Sequence, residues 1–156
     1  MPRPKILIQL DGDAQASVFD AVVAVDAGVD QLLQYRAVDA GSVRALVHGA
    51  IFTRGMADLH HTAIFVGGSD VTTGETLLQE VRRSFFGPMR VSVLFDANGA
   101  NTTAVAAVLV ARRHVELAGA TATVLAGTGP VGQRAARPLA RAGAHVRPAQ
   151  RRRGAR

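Results

Sequence analysis

Thr121-Ala-Thr-Val-Leu-Ala-Gly127-Thr-Gly-Pro-Val-Gly132 is the stretch that decides the fold. Residues 121–126 are β-branched, apolar or small, which predicts a strand. The spacing of apolar residues over 131–142 predicts a helix, and Gly143 suits its C-terminal cap. Between them lies G-x-G-x-x-G. Alone it is a weak pattern, but after a strand and at the opening of a helix it is the dinucleotide-binding fingerprint. Gly127 permits the tight turn, Gly129 lets the backbone approach a pyrophosphate, and Gly132 lets the helix pack closely on the strand. Backbone N–H groups at the helix N-terminus, helped by the helix dipole, face the phosphates. Pro130 costs little there, because the first N–H groups of a helix lack intrahelical partners. Gly127, Thr128, Gly129, Pro130, Val131 and Gly132 are the candidate cofactor contacts. The competing reading is a turn whose glycines serve packing alone.

Downstream, residues 144–146 begin a second strand, and the apolar pattern stops after Arg147. An acid at the end of that strand would hold a ribose 2′-hydroxyl, whereas an arginine accommodates a 2′-phosphate. The chain offers Ala149-Gln150-Arg151-Arg152-Arg153 and no carboxylate. Arg151 is therefore a cofactor candidate, and NADP is favoured with NAD as the second option. The other reading is that the arginine run is unstructured.

Upstream, strands alternate with helices, which argues a parallel α/β sheet. Strands are expected over 5–10, 62–66 and 91–95, and helices over 16–25, 73–85 and 101–116. Residues 43–47 fit either a short strand or a helix. Two strands end in small polar loops, Gly67-Gly68-Ser69-Asp70 and Asp96-Ala97-Asn98-Gly99. Ligands of open α/β sheets bind beyond strand carboxyl ends, so these loops are site candidates. Turn duty explains the same residues more simply.

The composition limits the function classes. The chain has 156 residues and no cysteine, which excludes disulfides and thiolate metal sites and fits a cytoplasmic setting. No apolar run approaches the ~20 residues of a membrane span. The net charge of +6 is local. Residues 147–156 hold five of the 18 basic residues, and the remaining 13 face 12 acids. A near-neutral body lacks the basic face of a nucleic-acid binder, although the tail could attract polyanions without specificity. His48, His60 and His61 do not form a metal set, and His60-His61 reads as an exposed loop pair.

The chain resembles the NAD(P)-dependent methylene-tetrahydromethanopterin dehydrogenases of bacterial one-carbon metabolism. Seven stretches carry the resemblance: Gln9-Leu-Asp-Gly-Asp13, Ser17-Val-Phe-Asp20, His48-Gly-Ala-Ile-Phe-Thr-Arg-Gly55, Thr62-Ala-Ile-Phe-Val-Gly-Gly-Ser-Asp70, Phe85-Phe-Gly-Pro-Met-Arg-Val-Ser92, Asp96-Ala-Asn-Gly-Ala-Asn-Thr-Thr103 and Leu125-Ala-Gly-Thr-Gly-Pro-Val-Gly132. The resemblance implies an N-terminal pterin-binding α/β domain over 1–100. A linker helix and the first strand-turn-helix of an incomplete Rossmann domain follow over 101–147, then a basic tail over 148–156. It implies reversible hydride transfer between a tetrahydromethanopterin-type carrier (the tetrahydrofolate derivative is accepted by some relatives) and NADP or NAD, in the cleft between domains. It implies a homo-oligomer, with no metal and no nucleic-acid or membrane partner.

Carried over by position, Phe19 packs on the pterin ring and Thr103 lies near the transfer site as the catalytic candidate. Asp20, Gly67, Gly68, Asp70, Asp96 and Asn98 are further substrate candidates. Phe19 could instead be plain core, and Thr103 could serve its own helix turn. Family members are nearly twice as long, and a lysine of their C-terminal segment has no counterpart here. The tail after Pro148 therefore reads as the mark of a truncated product with impaired turnover. The alternative is a non-enzymatic pterin-binding or subunit-association fragment.

Overall fold

The computed structural model describes residues 3–149. The chain forms two compact units, one up to Asn98 and one from Gly99 onward.

The first unit runs β1 (Ile6–Leu10), α1 (Val18–Asp26), β2 (Gln31–Tyr35), α2 (Val43–Phe52), a 3₁₀ turn (Met56–His61), β3 (Thr62–Val66), α3 (Val71–Ser84) and β4 (Ser92–Phe95). Its four strands lie in the order β2-β1-β3-β4, all parallel. The connection from β1 to β2 goes one way across the sheet, and that from β3 to β4 goes the other. The order therefore reverses between β1 and β3, the place where open α/β sheets leave a crevice at their carboxyl edge.

Alternation along the strands sorts the two faces. Ile8, Leu10, Ile64 and Val66 join Val43, Val47 and Ile51 of α2 and Leu77 and Val81 of α3 in one core. Gln9 lies on the opposite face, where its amide reaches the carbonyl of Ser17 at the start of α1.

Residues 43–47, open between strand and helix in sequence, belong to helix α2. Val43, Val47, Ala50 and Ile51 are its buried residues, a helical spacing that reads across Gly49. His60 and His61 close the 3₁₀ turn with ring centroids 3.9 Å apart.

The second unit runs α4 (Ala100–Arg112), β5 (Thr121–Leu125), α5 (Pro130–Arg141) and β6 (His145–Ala149), with β5 and β6 parallel. β5, α5 and β6 make one strand-turn-helix-strand repeat. Its core is built largely of small residues, Ala104, Val108, Leu117, Ala135, Leu139 and Ala144. The strand expected to lose its pattern after Arg147 continues through Pro148 to Ala149. Proline lacks a donor but is tolerated on an edge strand, and the carbonyl of Ala149 accepts from Gly127 N at 3.1 Å. Gly143, with φ of +88°, follows α5 as expected and donates to Ala140.

Candidate functional site

At the carboxyl end of β1, Asp11 is fully buried. Its Oδ1 accepts from Asp13 N at 2.9 Å and its Oδ2 from Ser17 N at 3.0 Å. One carboxylate thus shapes the whole β1–α1 loop. Asp13 reaches across to the loop after β3 and accepts from Ser69 N and Ser69 Oγ, both at 2.9 Å. The loops on either side of the β1/β3 crevice are tied together.

Two glycines fit this junction because nothing larger does. Gly68 has φ of +97°, and a Cβ there would lie 3.2 Å from Asp11 Oδ1. A Cβ on Gly67 would lie 2.9 Å from Phe65 Cε1 and 3.1 Å from Asp20 Oδ2. Asp20 is therefore directed at Gly67. Ser17 caps α1, and its Oγ accepts from Asp20 N at 3.2 Å. Burial raises the Asp20 carboxyl above the ordinary carboxylate value. A hydrogen bond from Ser17 opposes this, while the negative charges of Asp11 and Asp96 add to it.

Asp20, Gly67, Gly68 and Asp96 thus gather at the ends of β1, β3 and β4. Asn98 joins them through the backbone, donating its N–H to the Gly68 carbonyl at 2.7 Å from a left-handed conformation. Asp70 faces elsewhere, capping α3 by accepting from Thr73 N at 2.6 Å. A hydrogen bond from the Thr73 side chain, and after it the one from the Thr73 backbone, holds its carboxyl below the ordinary value. Phe19 is 77% exposed in the first turn of α1, so it is not core.

In the second unit, Thr103 is exposed on the first turn of α4. In the glycine turn, a Cβ on Gly127 would meet Pro148 Cβ at 2.8 Å and Val124 O at 2.9 Å. On Gly132 it would meet Ala126 O at 2.5 Å and Gly127 Cα at 2.8 Å. On Gly129 it would meet a single atom, Ala126 O, at 3.3 Å. Pro130 opens α5 and Gly129 is its N-cap. Thr128 accepts through its carbonyl from Gln133 Nε2 at 2.7 Å, and Val131 is partly exposed. Arg151 lies outside the described residues.

The family model described as methylene-tetrahydromethanopterin dehydrogenase, N-terminal, matches residues 18–98. The chain belongs to the methylene-tetrahydromethanopterin dehydrogenase family. The match to this family's N-terminal model ends at Asn98, where the first compact unit ends. The chain is also similar to the Bifunctional protein MdtA of Methylorubrum extorquens, with 49% identity over 126 residues. That alignment covers 80% of this chain but only 44% of the relative. The match therefore spans less than half the length of that relative.

Asp11, Asp13 and Ser69, which build the junction, were not among the residues singled out by sequence. Asp11 and Asp13 were marked only by a place in the stretch 9–13, and Ser69 by its place in the candidate loop 67–70. Their roles come from pairing across 56 residues of chain, between Asp13 and Ser69.

Proposed function

We propose that this chain serves the oxidation of methylene-tetrahydromethanopterin to the methenyl form, with its first unit holding the pterin and its second cradling NADP. The observation that carries the reading is the unequal duty of the three turn glycines. Packing within the chain accounts for Gly127 and Gly132, since a Cβ on either would strike backbone. It does not account equally for Gly129, whose missing side chain leaves room for a phosphate beside the N-terminus of α5. NADP is preferred over NAD because no acid follows β6 in sequence, whereas Arg151 does.

The bound nicotinamide supplies the hydride acceptor. The chain's own contribution is orientation and electrostatics. The exposed ring of Phe19 offers a stacking face. The Asp20 carboxyl and the backbone of Gly67 and Gly68 offer hydrogen-bonding groups at the crevice. Loss of hydride leaves the methenyl product positively charged. Asp20, with the charges of Asp11 and Asp96 near it, supplies a negative field for that developing charge. Thr103 is the candidate for the transfer site in the second unit.

An assay of hydride transfer reads the whole proposal at once. Binding is the sharper measurement. Calorimetric titration with NADP should show saturable binding that Gly129→Val abolishes while the far-ultraviolet circular dichroism stays unchanged. NADP binding equal in wild type and Gly129→Val would overturn the assignment of the turn.

A further inference from the structure

We infer that Asp13 and Ser69 are positioning residues for the pterin, a clamp that holds the Gly67-Gly68 wall of the crevice in its binding conformation. The inference deepens the pterin reading of that crevice and rests on it. The ladder between β1 and β3 ends with Gly67 N donating to Leu10 O at 3.0 Å. Beyond that bond the two loops are joined, among the described residues, by Asp13 and Ser69.

Each carboxylate oxygen of Asp13 takes one donor of the same residue, Oδ2 the amide and Oδ1 the hydroxyl of Ser69. Hydrogen bonds to a carboxylate are among the stronger ones, and a pair of them fixes orientation as well as distance. Elsewhere the chain uses this chemistry over three residues, as Asp70 does with Thr73 and Asp39 with Ser42. Turns and caps explain those local pairs. They do not explain a pair 56 residues apart in sequence. Core packing does not explain it either, since Asp13 is half-buried and Ser69 is exposed.

The clamp has a fixed base. Asp13 N donates to the buried Asp11 at 2.9 Å, and Asp13 O accepts from Ala37 N at 2.7 Å. Arg36 holds the next carbonyl, that of Ala14, at 3.1 Å. The Asp13 carboxylate is thus carried on a loop tied just beyond the ends of β1 and β2. The arm it holds is the pliant part. Glycine has the widest backbone freedom, and Gly68 uses it, with φ of +97°. Ser69 is the first side chain after the two glycines. Its two bonds to Asp13, together with the one from Asn98 N to the Gly68 carbonyl, select one conformation of a segment that glycine leaves free. A ligand that meets a preordered wall loses no affinity to ordering it. The clamp therefore acts on the pterin through Gly67 and Gly68.

Calorimetric titration with methenyl-tetrahydromethanopterin, joined to amide NMR of the free protein, tests this. Ser69→Ala should weaken pterin binding by about tenfold, the scale of one hydrogen bond to a charged group. Ser69→Thr, which keeps the hydroxyl, should bind like the wild type. Asp13→Asn should also bind more weakly, because an amide has one acceptor oxygen for two donors. Combining it with Ser69→Ala should add little, since both changes open the same clamp. In the free protein, Ser69→Ala should speed amide exchange at Gly68 and Ser69 while leaving Leu10 and Val66 unchanged. Urea midpoints of Ser69→Ala and Ser69→Thr should agree, which separates lost affinity from lost fold. Equal affinity of wild type and Ser69→Ala, losses that add fully in the double variant, or unchanged exchange at Gly68 and Ser69 would overturn the clamp and leave the pterin reading standing. A wild type that binds no pterin would overturn that reading, and the clamp's role with it.

Discussion

Asp20 sits where three effects meet. Burial and the charges of Asp11 and Asp96 disfavour its anion, and the Ser17 hydrogen bond favours it, with burial the largest. Its folded pKa lies above the ordinary 3.8. The neutral carboxyl therefore favours the fold below that value, and the contribution is lost as pH rises through the raised folded value. Asp20→Asn should match the wild type in stability in acid and exceed it near neutrality, read from urea midpoints across the carboxylate range. In an assay of hydride transfer the same variant should be slower near neutrality, because the negative field at the crevice is weakened. A variant both less stable and equally active at neutral pH would contradict this account. At the glycine turn the contrast is steric. Gly132→Ala forces a Cβ against two backbone atoms and should destabilise by about 1–3 kcal/mol, the usual cost of overpacking. Gly129→Ala meets one carbonyl at 3.3 Å from an extended backbone. It should keep the wild-type melting temperature while NADP binding falls.

The start of α1 links local structure to the crevice. Ser17 is its N-cap and the partner of Asp20. Ser17→Ala should cost about 1 kcal/mol, typical of a lost cap. It should also push the Asp20 carboxyl further up, which carboxyl-carbon NMR titration would follow. An unchanged Asp20 titration would show that the cap does not reach the site. At this scale the sequence was legible where periodicity was strong. Residues 62–66 and 121–125 are apolar or β-branched strands, and α3, expected over 73–85, buries Leu77 and Val81 four residues apart on one face. Strand β2 was not foreseen, because Gln-Leu-Leu-Gln-Tyr has neither β-branched residues nor clean alternation. It exists because β1 offers it a parallel partner from Ile6 to Leu10. Helix α2 stayed ambiguous because Gly49 interrupts its reading.

Across the whole chain, the loops that make the crevice were legible because they end strongly apolar strands. The Asp11 and Asp13 network was not, because it depends on which strands are neighbours, and order β2-β1-β3-β4 is a property of the assembled sheet. The two units also differ in how they are held. The first buries Leu10, Ile51, Ile64, Leu77, Val43, Val47, Val66 and Val81 almost completely. The second relies on Ala104, Val108, Leu117, Ala135, Leu139 and Ala144, half of which are alanine. Hydrophobic stabilisation scales with the apolar area removed from water, and a small unit buries a smaller fraction of its surface. Local opening should therefore be cheaper in the second unit. Hydrogen exchange by mass spectrometry should find β1 and β3 amides protected longest and β5 and β6 amides exchanging earlier. Saturating NADP should slow exchange in β5 and around Gly127–Gly132 through mass action, while leaving β2 unchanged. If β5 and β6 were protected as long as β1 and β3 without NADP, the alanine-built core would be as strong as the branched one, and the ranking of the two units by buried area would fail.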